Sequence, residues 1–186
     1  THRQLFHGPF KKQLCKFAHF APFPVDEHAI DTTVAHVQKL FKKQAIGAVL
    51  VEPIQGRAGI REVPLKLMEH LSALCEEHHA LLIFDEIYTG FGRTGEWFAT
   101  DGGLFSPDLI CLGKALTNGF PLSACVGRAT VMDRAWPASE GEAIHTSTYL
   151  GHPVGCAMAL AQLKELKEKK LITHARQLGK KFKTMC

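Results

Sequence analysis

The 186-residue sequence predicts an α/β fold in which a mostly parallel sheet is sandwiched by helices. Short apolar runs alternate along the chain with segments whose apolar residues recur at helical spacing. The apolar runs are continuous rather than alternating, which is typical of parallel strands buried on both faces. The chain is 46% hydrophobic and 22% charged, as expected for a globular domain of ordinary size.

The predicted elements follow in order from the two periods. A helix is expected over 31–44, a strand over 46–53, a second helix over 64–79 and a second strand over 80–87. A long loop with five glycines follows over 88–108, and then strands over 109–116 and 120–127 separated by an Asn118-Gly119 turn. Pro153 opens a helix that runs to about residue 170, and the last helix begins near residue 172.

Charge and cysteine usage narrow the function classes. The formal net charge of +4 is spread over lysines that are partly interleaved with glutamates on predicted helices, so we expect solvated helix faces and no nucleic-acid partner. No apolar run reaches the ~20 residues of a membrane span, so we expect no membrane partner. The six cysteines form no CxxC pair, which favours reduced thiols and a cytoplasmic location. Adjacent His78 and His79 point in different directions on a helix, so we expect no metal site there.

Ionisable residues stand at the ends of three predicted strands. Glu52 follows one apolar run, Asp85 the next, and Lys114 lies near the end of a third. Because the carboxyl ends of parallel strands meet at one edge of a sheet, these three groups are expected at a common rim, where such folds bind ligands. A buried charge without a partner costs several kcal/mol, so each needs a reason to be there. One alternative stays open, a purely structural ion pair between Asp85 and Lys114.

Two of these groups, Lys114 and Asp85, indicate the chemistry of the site. A desolvated lysine is a nucleophile toward carbonyls, and a carboxylate that stays ionised in the same pocket must face a cation. Pyridoxal phosphate meets both demands, since it brings an aldehyde for Lys114 and a protonated pyridine nitrogen for Asp85. The glycine-rich loop over 90–95 fits neither a dinucleotide fingerprint nor a P-loop, so nucleotide binding is not favoured.

Four motifs carry a resemblance to a known family. The stretches VLVEPIQGRAGI, FDEIYTGFGRTG, DLICLGKALTNGFPLSACVG and HTSTYLGHPVGCAMAL resemble class III aminotransferases, which are fold-type I pyridoxal phosphate enzymes. The resemblance implies that Lys114 is the Schiff-base lysine and that Asp85 partners the pyridine nitrogen. It places Glu52 at the substrate end of the site. Tyr88 stands where the family usually has a glutamine beside the phenolic oxygen of the cofactor.

The resemblance also implies an assembly and a reaction. Thr148, with Ser147 beside it, would reach the cofactor phosphate of the neighbouring subunit, so a homodimer with shared active sites is expected. The implied reaction moves an amino group between a primary amine, omega or alpha, and a 2-oxo acid. An epimerase or aminomutase on the same scaffold, and an inactive remnant of the fold, stay open as alternatives.

The resemblance covers the middle of a family member. Residues 1–186 are expected to be the central part of the large, cofactor-binding domain, with the N-terminal segment and the C-terminal small domain absent. The FHG stretch at 6–8 resembles the aromatic-His-Gly stretch of the family. Because the main phosphate cradle of the family precedes this region, we expect the chain alone to bind pyridoxal phosphate poorly and to associate.

Overall fold

The computed structural model describes residues 8–14, 17–101, 105–139, 141 and 145–185. These residues form two compact units, Thr1–Ile46 and Gly47–Cys186. Phe6 and His7, and with them most of the FHG stretch, lie outside the described residues. The helices are α1 (Glu27–Lys43), α2 (Leu65–Glu77), α3 (Ala129–Ala135), α4 (Pro153–Glu168) and α5 (Leu171–Met185). The strands are β1 (Ala48–Val51), β2 (Ile54–Gln55), β3 (Arg61–Glu62), β4 (Leu81–Asp85), β5 (Leu109–Leu112) and β6 (Ala124–Gly127).

The first unit contains helix α1, which begins earlier than the apolar periodicity indicates. Asp26 caps its amino end, because the Asp26 carboxylate accepts a hydrogen bond from the backbone N–H of Ala29 at 2.8 Å. The buried face consists of Ile30, Thr33, Val34, Val37 and Phe41, which recur at the expected three- and four-residue spacing. The helix was predicted to begin at residue 31, and its first turn was missed because that turn is polar on its outer face.

The second unit is built on a four-stranded sheet in the order β1-β4-β5-β6. Strands β1, β4 and β5 are parallel, and β6 runs antiparallel to β5. Helix α2 contacts β1 and β4, while α4 contacts α5 and the 3-10 turn Lys114–Leu116. The predicted α/β class with a mostly parallel sheet flanked by helices is therefore confirmed.

Burial alternates along β4. Leu82 and Phe84 are 3% and 0% exposed, whereas Leu81, Ile83 and Asp85 between and beside them are half-buried. Since side chains along a strand point alternately to opposite faces, one face of the sheet carries the packed core and the other is only partly covered by the described residues. The candidate site lies at the carboxyl edge of this sheet.

Two predicted strands are shorter than the apolar runs that predicted them. The strand predicted over 109–116 ends at Leu112, and Lys114 then begins a single 3-10 turn. Gly113 allows this change of direction, since a Cβ there would lie 3.2 Å from Cγ2 of Ile87. The strand predicted over 120–127 begins only at Ala124.

One predicted turn is present, and the structure also contains a short hairpin that was not predicted. Asn118 and Gly119 both have positive φ angles, 53° and 130°, so the predicted turn between β5 and β6 is confirmed. The short hairpin of β2 and β3, paired from Ile54↔Glu62 to Gln55↔Arg61, was not predicted. Within the described ranges, every helix is too short or too polar to cross a lipid bilayer.

Candidate active site

The carboxyl ends of three parallel strands define the candidate site. Glu52 follows β1 directly, Asp85 is the last residue of β4, and Lys114 lies two residues beyond β5. The register aligns Val51 with Phe84 and Asp85 with Cys111, so these ends lie along one edge of the sheet. The edge predicted from the strand pattern is therefore present, and the three ionisable residues lie along it.

Lys114 presents its amine at this edge, and no carboxylate among the described residues pairs with it. Its side chain is exposed at the start of the 3-10 turn. None of the ion pairs formed by the described residues includes Lys114, so the alternative of a structural pair with Asp85 is not observed. The Lys114 Nζ atom instead lies over the ring of Tyr88, 5.0 Å from its centroid. The desolvated pocket expected for this lysine is therefore not formed by the described residues, and its amine is left accessible.

Asp85 is held by its own turn. One carboxylate oxygen, Oδ1, accepts a hydrogen bond from the backbone N–H of Ile87 at 3.0 Å. Asp85 pairs in register with Cys111 on β5, and the pKa of the Cys111 thiol is raised, first by burial, then by Cys125, and then by the negative charge of Asp85. Within the described part of the chain, the other Asp85 oxygen accepts no hydrogen bond, which leaves it free to face a cationic group.

Tyr88 connects the Lys114 loop to the β2–β3 hairpin. A Cβ added to Gly56 would lie 3.0–3.1 Å from the Cγ, Cδ1 and Cδ2 atoms of Tyr88, so the bare backbone of Gly56 packs directly on the ring. The Gly56 N–H in turn donates a hydrogen bond to Oε2 of Glu52 at 3.2 Å. The guanidinium carbon of Arg93 lies 5.7 Å from the ring centroid. Glu52, Gly56, Tyr88 and Lys114 thus form one connected arrangement.

Glu86 is the residue at this edge that sequence reasoning missed. It is 1% exposed, and its carboxylate receives four hydrogen bonds from the loop that follows β4. The donors are the Thr89 hydroxyl, the Ala99 N–H, the Thr100 N–H and the Thr100 hydroxyl. The signal in the sequence was the pair of adjacent acids, Asp85 and Glu86. Neighbouring residues at a strand end point to opposite faces of the sheet, so the two carboxylates cannot serve the same site. Glu86 fixes the loop that carries Tyr88 and Arg93.

Helix α5 holds the same loop from outside. The Arg176 Nε–H donates a hydrogen bond to the Gly95 carbonyl at 2.9 Å, and Arg176 also forms an ion pair with Glu96. Gly92 has a φ of 91°, and a Cβ there would lie 2.9 Å from Cγ1 of Ile172. The glycine spacing of the loop is therefore explained by close helix packing and by left-handed backbone, not by phosphate binding.

Ser147 and Thr148 lie in another segment of the second unit. Both are exposed in the segment before α4, where the Ser147 carbonyl accepts a hydrogen bond from the Leu150 N–H at 3.1 Å. In the described part of the chain, no hydrogen bond or ion pair joins either residue to Lys114 or Asp85. Their role toward a cofactor phosphate of a partner subunit stays a prediction.

Comparison with known proteins identifies the family. The family model Aminotransferase class-III matches residues 2–185. The chain is 40% identical over 168 residues to the 5-aminovalerate aminotransferase DavT of Pseudomonas putida, a match that covers 87% of this chain and 38% of that protein. It is 38% identical over 169 residues to the 4-aminobutyrate aminotransferase GabT of Escherichia coli, covering 88% of this chain and 38% of that protein. The chain thus spans 38% of the length of these two relatives.

A solved structure agrees with the curated relatives. The ornithine aminotransferase of Toxoplasma gondii, crystallised with oxidised glutathione, matches with a TM-score of 0.73 at 37% identity, over 91% of this chain and 38% of that chain. That crystal shows partial occupancy of pyridoxal phosphate at its active site. The family resemblance and the family cofactor predicted from the four motifs are confirmed. The chain belongs to the class III aminotransferases, the pyridoxal phosphate-dependent transferases of fold-type I.

Proposed function

We propose that this chain carries the catalytic edge of an aminotransferase that moves an amino group between a primary amine and a 2-oxo acid. One observation carries the proposal above the others. Lys114 offers an exposed amine without a carboxylate partner among the described residues, at the same sheet edge as the free carboxylate oxygen of Asp85. An amine and a carboxylate at one edge fit the aldehyde and the pyridine nitrogen of pyridoxal phosphate.

The residues of the edge have distinct tasks in this proposal. Pyridoxal phosphate, when bound, supplies an aldehyde and an electron-withdrawing ring. Lys114 would hold the cofactor through its Nζ and, when displaced by substrate, would accept and return a proton at that atom. Asp85 would keep the ring nitrogen protonated, since a carboxylate stabilises a neighbouring cation. Tyr88 would border the cofactor, and Glu52 would lie toward the substrate.

The assembly is part of the proposal. Thr148 and Ser147 would bind the cofactor phosphate of a partner subunit, which makes the active form a homodimer with shared sites. Their exposure in the segment before α4 leaves both residues accessible to a partner subunit. We place residues 1–186 in the large domain of such a protomer. We further place the protein in the cytoplasm, and the free thiols of Cys75, Cys111, Cys125 and Cys156 support a reducing compartment.

The proposed substrate class rests on the names of the relatives. DavT and GabT are named for 5-aminovalerate and 4-aminobutyrate, in which the amine is at the opposite end of the molecule from the carboxylate. We propose a donor of this omega-amino type. All relatives reported above are aminotransferases, which favours transamination over an epimerase, an aminomutase or an inactive remnant.

The experiment is a transamination assay with added pyridoxal phosphate, on a purified version of the protein that spans the full length of its relatives, because the chain alone is expected to bind the cofactor poorly. The donors are 5-aminovalerate, 4-aminobutyrate and ornithine, and the acceptor is 2-oxoglutarate. Turnover that is lost in Lys114→Ala and kept in Lys164→Ala, a change at an exposed helical lysine, supports the proposal. Equal turnover in both variants would refute it. Absence of turnover in the wild-type chain, together with absence of cofactor uptake, would favour the inactive remnant.

A further inference from the structure

The ring of Tyr88 is clamped between two loops of the second unit. On one side, the Gly56 backbone approaches it so closely that a Cβ at that position would lie only 3.0–3.1 Å from ring carbons, which would then have to shift. From another loop, Lys114 places its Nζ 5.0 Å from the ring centroid. The ring therefore touches the turn that binds Glu52 and also contacts the amine proposed to be reactive.

The contact between Tyr88 and Lys114 is attractive. An ammonium within about 6 Å of an aromatic face is drawn to the negative side of the ring quadrupole. Arg93, with its guanidinium carbon 5.7 Å from the same centroid, brings a second cation to this ring. The two positive groups repel each other, and the attraction of each to the ring offsets part of that repulsion.

The backbone around Tyr88 is held in place, while the residue itself is 37% exposed. The carbonyl of Glu86 accepts a hydrogen bond from the Gly90 N–H at 2.9 Å, and the Glu86 carboxylate binds the loop further along. Gly113, directly before Lys114, lies against Ile87, directly before Tyr88, since a Cβ on Gly113 would be 3.2 Å from the Ile87 side chain. The two loops are therefore held at a fixed separation, and the ring fills the space between them and Gly56.

We propose that Tyr88 is a positioning residue for Lys114: its ring, seated on the bare backbone of Gly56, holds Nζ at the carboxyl edge of the sheet. The inference deepens the proposed function, because the amine it positions is the one proposed to bind the cofactor.

The test measures the reactivity of Lys114 without any cofactor. The full chain is treated with trinitrobenzenesulfonate, which labels free amines, and the labelling rate of the Lys114 peptide is divided by that of the Lys164 peptide from the same digest. Removing a contact of this kind in Tyr88→Leu raises the ratio about two- to fivefold, the range that follows from the usual strength of an exposed cation–π contact. Tyr88→Gln, a second route to the same loss, raises it equally.

Conservative and distant changes serve as controls. Tyr88→Phe keeps the ring and the Gly56 contact, so its ratio stays at the wild-type value. Tyr149→Leu, a change at the second tyrosine of the chain, which is 75% exposed, leaves the ratio unchanged. Circular dichroism of each variant excludes unfolding as the cause of faster labelling. A wild-type ratio in both Tyr88→Leu and Tyr88→Gln, or a raised ratio in Tyr88→Phe, would overturn the proposal.

The same data separate this inference from the proposed function. If the ratio responds as stated but a version of the protein that spans the full length of its relatives never takes up pyridoxal phosphate, the aminotransferase proposal fails and the positioning role stands. If the chain takes up the cofactor at Lys114 but the ratio is insensitive to Tyr88, the positioning role fails and the aminotransferase proposal stands.

Discussion

Replacing Glu86 by glutamine tests how the loop after β4 is held in place. The substitution keeps the size of the side chain and exchanges one carboxylate oxygen for an NH₂ group. In the native chain, Oε1 accepts from the N–H and the hydroxyl of Thr100, and Oε2 accepts from the Ala99 N–H and the Thr89 hydroxyl. Whichever oxygen is replaced, one hydroxyl and one backbone N–H then face a donor.

The expected loss of unfolding free energy can be worked out from these hydrogen bonds. The hydroxyl can rotate and accept a hydrogen bond from the new NH₂ group, but the backbone N–H cannot. One stranded backbone donor costs about 1–3 kcal/mol, and the remaining bonds lose the strengthening that a charged acceptor gives. Since Glu86 is 1% exposed, water offers little compensation. We expect Glu86→Gln to lower the free energy of unfolding of this region by about 3 kcal/mol.

The assay has to report on the loop itself, because the chain consists of two compact units that need not unfold together. Hydrogen exchange at the amides of Ala99 and Thr100 gives the local opening free energy, and the fluorescence of Trp97 in the same loop follows urea unfolding. Glu69→Gln, the same chemical change at an exposed position on α2, should leave both measurements within about 0.5 kcal/mol of wild type. A loss below about 1 kcal/mol in Glu86→Gln would refute this account of the loop.

Three further outcomes follow from the same contacts. Gly56→Ala should destabilise the second unit by about 1–3 kcal/mol because its Cβ would collide with an aromatic ring, whereas Gly47→Ala, with nothing within 4 Å, should not; equal urea midpoints would contradict this. Burial, assisted by a nearby carboxylate, raises the pKa of Cys75 to about 11. At pH 8, alkylation of Cys75 by iodoacetamide should therefore be at least about tenfold slower than that of exposed Cys125. The alkylation of Cys75 should accelerate as the pH rises toward 11. In a version of the protein that spans the full length of its relatives, Asp85→Asn should keep the cofactor on Lys114 but reduce turnover about a hundredfold or more. This corresponds to a loss of roughly 3 kcal/mol of transition-state stabilisation. Near-normal turnover would show that the acid is only structural.

The sheet and its carboxyl edge could be predicted because their signals are local. Continuous apolar runs predicted strands β1, β4 and β5, and the common direction of parallel strands then placed Glu52, Asp85 and Lys114 along one edge. Strand ends were less predictable, since the apolar run through 109–116 continues past the point where the backbone turns. That turn is visible only in the packing of Gly113 on Ile87.

The parts that were missed depend on contacts between distant residues. The carboxylate of Glu86 is bound by donors 13 and 14 residues further along the chain, and no periodic pattern marks that return. The packing of Tyr88 on Gly56 requires the β2–β3 hairpin, whose two-residue strands are too short to leave a period. Helix α3, with seven residues and no buried side chain, likewise lacks an apolar stripe that sequence reading would detect.

The most direct measurement of the central claim is the site at which the cofactor becomes attached. A version of the protein that spans the full length of its relatives is incubated with pyridoxal phosphate, reduced with borohydride, digested and mapped by mass spectrometry. We predict that the label lies on the peptide that contains Lys114, and that Lys114→Ala removes it without transferring it elsewhere. A label found instead on Lys66 or Lys164, or a label that persists in Lys114→Ala, would contradict the assignment of this sheet edge as the catalytic site.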